Sequence, residues 1–197
     1  VHPDDAAALG LTDRALARVT TPQGESLFRV AHAPGQRRGE IFTPIHWTDR
    51  QSTGGRTGLL PRPLVDPHSG QPGFKQSPAR IAPVAIDWRG FLILSGEGEA
   101  PDCLWATKVA VPNGALYELA GLGDARALDK ALPKGERIEA SDPARGTRRI
   151  AILRDGRLVA ALFLTHSGEL PSRDWLISQL DQPQAPLVLA GRAPGAQ

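Results

Sequence analysis

Residues 147–165 read TRRIAILRDGRLVAALFLT, two β-rich runs separated by Asp155-Gly156. Asp-Gly between such runs is a hairpin signal, because a type I′ turn needs positive φ at both central positions, which Gly adopts freely and Asp tolerates. The stretch predicts a strand over 147–154, a two-residue turn and a strand over 157–165. Working outward, Ser172 is a fitting N-cap for a helix through Leu180, with Trp175, Leu176 and Leu180 at the spacing of one buried face. Upstream, residues 91–94 form a short apolar strand, and GEGEAPD (96–102) is an acidic, turn-rich link. Residues 105–122 fit strand and helix equally, while 125–132 predict a helix ended by Pro133-Lys134-Gly135. The expected result is a small α+β module over 87–197.

The first half has the same grain of short strands and turns. His2-Pro3-Asp4-Asp5 before AAALG predicts a two-turn helix, with Pro near its first position, acids at its positive end and Gly10 as the stop. Residues 15–20 and 25–31 predict a hairpin around Pro22-Gln23-Gly24. PGQRRG (34–39) is a further turn before a strand over 40–44, and ARIAPVAI (79–86) predicts a returning strand that Pro83 limits or places at an edge. Several short strands, one helix and one long loop point to a small β-barrel over 1–86 rather than a parallel α/β sheet. With four or five strands the barrel is incomplete, and its missing strand is expected upstream of Val1. The domain boundary is expected at 85–90.

The long loop is IHWTDRQSTGGRTGLLPRPLVDPHSGQPGFK, residues 45–75, with five Gly and four Pro and no sustained period. A compact domain seldom keeps so long a structureless connection unless it has a function. Arg50, Arg56 and Arg62 recur every six residues and offer forked N–H donors to an anion; as solvated arginines they would do nothing. His46-Trp47 at its entrance admits two readings, a lid over the core with a structural histidine, or an imidazole and an indole N–H facing a polar heterocycle. Asp66-Pro67-His68-Ser69-Gly70 reads as two turns with Asp66 accepting local N–H groups. Lys75 closes the loop and offers a charge to an anionic ligand, or is simply solvated.

Composition removes several function classes. Of 197 residues 41% are hydrophobic, which supports a real core, and the formal charge of +2 is spread along the chain. Without a basic stripe or a reading motif, a nucleic-acid partner is not expected. A single cysteine, Cys103, builds no internal disulfide, cysteine zinc site or iron–sulfur cluster. No apolar run approaches a spanning length and no leader precedes the first helix, so a soluble, cytoplasmic setting is expected, with no membrane partner. The absence of Met and the abrupt start at Val1 suggest a piece of a longer polypeptide. His2, His32, His46, His68 and His166 have no HxH or HxxxH spacing, so no protein-held metal is expected. There is no GxSxG elbow, and Gly96-Glu97-Gly98 lacks the last glycine of a dinucleotide fingerprint.

VHPDDAAALGL, two strands, a PG-type turn, IFTPIHW and DPHSGQPGFK together resemble the C-terminal molybdopterin-dinucleotide-binding domain of the large molybdenum oxidoreductases. Within that superfamily, the HW and DPxSGQPxxK elements are most similar to the bacterial assimilatory nitrate reductases. The resemblance covers residues 1 to about 85. GxLYELAG, the ARGTRR hairpin and the terminal LVLAGR are similar, less specifically, to the region those reductases carry before a cysteine-rich iron–sulfur segment.

The resemblance implies a mainly β fold with an α+β part: a double-psi β-barrel, whole or incomplete, that caps molybdopterin guanine dinucleotide, followed by the small module. It implies nitrate reduction to nitrite in the parent polypeptide, with molybdenum ligated elsewhere and iron–sulfur clusters in the parent only. Its partners would be the N-terminal catalytic domains of the same polypeptide and an electron-donor protein or domain. His46, Trp47, Arg56, Gly58 and Lys75 fall on cofactor-binding positions, with no catalytic residue in this segment. Gly73 stands where the family commonly has an acid, and Gly58 where it commonly has Asn, whose side chain would supply a donor and an acceptor to the pterin that Gly58 does not offer. Nothing here resembles the four-cysteine motif or the substrate channel, so the segment alone is expected to be inactive. A different class, a non-catalytic β-barrel interaction module that docks a partner through the long loop, fits the same strands; so does the same domain in an oxidoreductase for formate.

Overall fold

In the computed structural model, which describes residues 1–74, 76–183 and 186–191, the chain divides into two units, Val1–Ala85 and Ile86–Gln197. The protein is mainly β, its strand pairs antiparallel and its helices few and short.

The first unit begins with helix α1 (Pro3–Ala8), where the His2 ring accepts the Asp4 N–H at 3.1 Å and Asp4 and Asp5 occupy the first turn. Gly10, at φ +67°, turns the chain out of it. Strands β1 (Leu16–Thr21) and β2 (Gly24–Arg29) pair through a two-residue turn at Pro22-Gln23. Along β1 the side chains alternate with period 2: Ala17, Val19 and Thr21 are buried, Arg18 and Thr20 exposed. A two-residue strand β3 (Ser52–Thr53) lies in the long loop, and β4 (Arg80–Pro83) returns to pair with β1. The sheet has the order β2-β1-β4. Pro83, which lacks an N–H, ends the edge strand, where it costs no ladder bond. Its core holds two neighbouring groups, Ala6, Leu11, Ala17 and Val30, and Val19, Phe28 and Leu60. Among the described residues these strands form an open sheet. The strand expected over 40–44 makes no ladder; Phe42 there is 77% exposed, so nothing rewards its burial.

The second unit contains β5 (Trp88–Ser95), β6 (Trp105–Val111), β7 (Gly114–Gly121), β8 (Glu136–Asp142), β9 (Thr147–Arg154) and β10 (Arg157–Thr165). They lie in the order β6-β7-β5-β10-β9-β8. Asp155 at φ 51° and Gly156 at φ 71° join β9 to β10 as the sequence predicts. The ambiguous stretch 105–122 resolves into a second hairpin, turned by Pro112 and by Asn113 at φ 64°. Both faces of the sheet are covered, which is why FLIL and AALFL are apolar at successive positions instead of alternating. Leu92, Leu94, Ile150, Ile152, Leu162 and Leu164 lie in one layer with Tyr117 and Leu128. Phe91, Ile93, Ala151, Leu153, Ala161 and Phe163 form the other layer with Leu176, Leu180, Val188 and Leu189. Leu128 belongs to a 3₁₀ turn, Ala125–Ala131, where the sequence suggested a helix. Helix α2 (Arg173–Ser178) follows Ser172, whose side chain makes no capping bond.

Candidate functional site

The long loop of the first unit is organised by backbone tethers rather than by side-chain packing. Leu27 N–H donates to Gly54 O at 2.7 Å, and Ser26 Oγ donates to Arg56 O at 2.6 Å, so the loop runs along the outer edge of β2. Gly55 is required there, since a Cβ would lie 2.3 Å from Ser52 Oγ. Thr57, buried in a 3₁₀ turn (Thr57–Leu59), donates from Oγ1 to Pro44 O at 2.5 Å. That bond holds the turn carrying Arg56 and Gly58 against the chain that carries His46 and Trp47. Neither Thr57 nor Ser26 stands out in the sequence, because a hydroxyl that tethers a loop has no spacing signature.

His46 is exposed and makes no side-chain hydrogen bond among the described residues. Trp47 is half-buried, 6.4 Å from the Phe28 ring, and packs with Ile41 and Ile81 against Val19, Phe28 and Leu60, which is the lid arrangement. It also lines a cavity of about 320 Å³, together with Phe28, Phe42 and Gln36. Arg56 reaches Asp49 at 3.2 Å while half-exposed, a contact worth little in water. Arg50 and Arg62 are exposed and have no ion pair among the described residues. Gly58 has open space where a Cβ would stand. Lys75 lies outside the described residues.

Asp66 closes the turns as expected. Its Oδ1 accepts from the Ser69 N–H at 2.8 Å, the Ser69 hydroxyl at 2.9 Å and the His68 N–H at 3.1 Å. Those bonds, led by the Ser69 N–H, hold the carboxyl below its ordinary value. Asp66 Oδ1 is therefore engaged in shaping the loop. The loop as a whole presents free or weakly paired guanidinium groups around glycine turns, a surface able to take an anion with several acceptor oxygens. Among the described residues, no cluster of His, Cys, Asp and Glu could hold a metal, and no helix is long and apolar enough to cross a membrane.

Residues 1–78 match the family described as the molydopterin dinucleotide binding domain. The chain is similar to a nitrate reductase of Klebsiella oxytoca, 36% identical over 130 residues that make up 66% of this chain and 15% of that protein. It is similar to the assimilatory nitrate reductase catalytic subunit of Bacillus subtilis, 33% identical over 84 residues, 43% of this chain and 11% of that one. A third relative is the F420-dependent formate dehydrogenase 1 subunit alpha of Methanococcus maripaludis, 26% identical over 81 residues, 41% of this chain and 11% of its own length. The matched stretches thus span between 11% and 15% of these relatives. No solved structure matches the chain.

Proposed function

We propose that the chain is the cofactor-capping C-terminal portion of a molybdenum-dependent nitrate reductase, on the match of residues 1–78 to the molydopterin dinucleotide binding domain family. In this proposal the first unit binds molybdopterin guanine dinucleotide, and its open sheet is completed to a double-psi β-barrel by strands from the preceding catalytic domains of the same polypeptide. The divisions 1–86 and 87–197 are the cofactor-binding domain and a module leading to an iron–sulfur segment and an electron donor, in a cytoplasmic enzyme. Bound, the cofactor would supply the two-electron oxygen-atom chemistry that turns nitrate into nitrite; the protein's part is binding, orientation and electrostatics.

The residues present fit such a group. Arg50, Arg56 and Arg62 offer donors to pyrophosphate oxygens. His46 offers an exposed imidazole, Trp47 a fixed indole, and Lys75 a charge at the end of the loop. The observation that supports the proposal is the Thr57–Pro44 bond, which ties the turn next to Arg56 and Gly58 to the stretch just before His46 and Trp47, all within the matched family segment.

The test is molybdenum and pterin content of the full-length protein purified anaerobically, with nitrate-dependent oxidation of a reduced viologen. About one molybdenum per chain with nitrite formed supports the proposal. Molybdenum without nitrite, but with formate oxidised, moves the substrate to that of the Methanococcus relative. Neither molybdenum nor pterin, in a host that makes the cofactor, overturns it in favour of an interaction module.

A further inference from the structure

The second unit contains a cleft of about 500 Å³ that the proposed cofactor chemistry does not use. Its lining includes Trp88, Arg126, Ser141, Thr147, Leu164 and His166. The polar groups there are unevenly committed. Glu139 accepts from Arg148 Nε at 2.8 Å and Arg137 Nη2 at 2.6 Å, and Arg148 forks onto both oxygens of Asp129 at 2.8 Å. Asp124 takes the Arg126 N–H at 2.9 Å to cap the 3₁₀ turn. Glu139 is therefore paired, and Asp124 is engaged through Oδ1 while its Oδ2 stays open to solvent.

The donors are less engaged. Arg126 meets Asp124 only at 3.8 Å, with its side chain 85% exposed. Ser141, Thr147 and His166 make no side-chain hydrogen bonds among the described residues, and the His166 ring is placed by Gly146, where a Cβ would come within 2.7 Å of it. Trp88, 3% exposed, contributes to the wall; its indole Nε1–H has no partner among the described residues but is itself buried, so it is not one of the donors that the cleft presents. The open donors of Arg126, Ser141, Thr147 and His166 beside a wall of Trp88 and Leu164 call for a ligand rich in acceptors at one end and flat and apolar at the other, and the volume lies in the range of small-molecule sites.

We propose that this cleft is a binding site for a small organic anion, a carboxylate or phosphate monoester carrying a flat apolar group. Arg126 is its charged anchor, Ser141, Thr147 and His166 supply hydrogen bonds, and Trp88 and Leu164 face the apolar body. The site is independent of the cofactor assigned to the first unit and stands or falls separately from it.

The test is calorimetric titration of the full-length protein with phenyl phosphate and, separately, inorganic phosphate, paired with amide hydrogen exchange. Phenyl phosphate is expected to bind about tenfold more tightly than inorganic phosphate, a gain of about 1.4 kcal/mol from the ring. It should slow exchange in peptides covering 123–126 and 141–148. Arg126→Gln, at an exposed position where folding is not at stake, should weaken phenyl phosphate about tenfold. Arg37→Gln, an exposed arginine of the first unit, should change nothing. No heat at millimolar phenyl phosphate, equal affinity for the two probes, or an affinity unaltered by Arg126→Gln each overturns the proposal.

Discussion

The guanidinium of Arg173 stands 4.5 Å above the ring of Phe91. From the same position it forks onto Glu118, Nε to Oε1 at 2.8 Å and Nη2 to Oε2 at 3.1 Å. Phe91 in turn stacks on Phe163 at 5.3 Å, and Arg149 lies 5.8 Å from that second ring while donating to Leu189 O at 2.8 Å. Two arginines thus bracket a pair of stacked rings, and each fastens a C-terminal element to the sheet.

Arg173→Ala should lower stability by about 2 kcal/mol, because it removes a partly desolvated cation–π contact and leaves the carboxylate of Glu118 without its fork. Arg173→Lys should recover only part of this, since an ammonium cannot both stack and fork. The midpoint of urea denaturation decides. Equal midpoints for wild type and both variants would remove the bracket from the account of stability.

Stability should fall in acid through Asp129 and Glu139. Burial works against the charge of each, but hydrogen bonds from Arg148 and Arg137 outweigh it and hold both carboxyls below their ordinary values. With folded values depressed, the contribution is complete above the unfolded carboxylate range near about 4 and is lost as pH falls below it. Arg148→Met should flatten that acid limb. Urea midpoints measured across pH 7 to 2 would show it, and identical limbs in the two proteins would count against the network.

Cys103 should be slow to alkylate. Burial pushes its thiol up to about 11, with backbone hydrogen bonding at Trp105 and Ala120 offsetting only part of the rise. Iodoacetamide at pH 8 should modify the folded protein about a hundredfold more slowly than the urea-unfolded chain, since the thiolate is the reactive species. Comparable rates would mean that the thiol is open to solvent.

Gly58→Asn should leave stability within about 0.5 kcal/mol of wild type, since no atom lies within 4 Å of the position its Cβ would take. In the full-length protein it should raise molybdenum retention on dialysis by restoring an amide that can donate and accept, and Lys75→Ala should lower it. Retention unchanged in both variants would separate these two positions from cofactor binding.

Much of the fold was legible where local chemistry decides structure. Asp155-Gly156 fixed a hairpin because only a few residue types reach its dihedral angles, and Pro83 marked an edge because it has no N–H to give. The second hairpin was harder to see. WATKVAV and GALYELAG bury residues on both faces, so the period of two that identifies a strand is blurred, although Pro112-Asn113-Gly114 carried the turn. β8 escaped for the opposite reason: ERIEASD is a polar edge strand held by β9 and by its charges, with almost no apolar signal of its own. The loop was legible as a whole and its wiring was not. Trp47 packs over the Phe28 ring, a contact that only the paired β1 and β2 create.

The order of the second sheet also sets its folding kinetics. β6–β7 and β9–β10 each close through a two-residue turn, whereas β5 must find β10 with β6 through β9 lying between them in the chain. Hairpins of that kind form in about 1–10 μs, but joining them through β5 requires closing a long loop before any contact repays its entropy. Docking of β5 is therefore the expected slow step, and substitutions at Phe91 or Ile93 should slow folding more than substitutions in either turn do, as stopped-flow refolding of the variants would show.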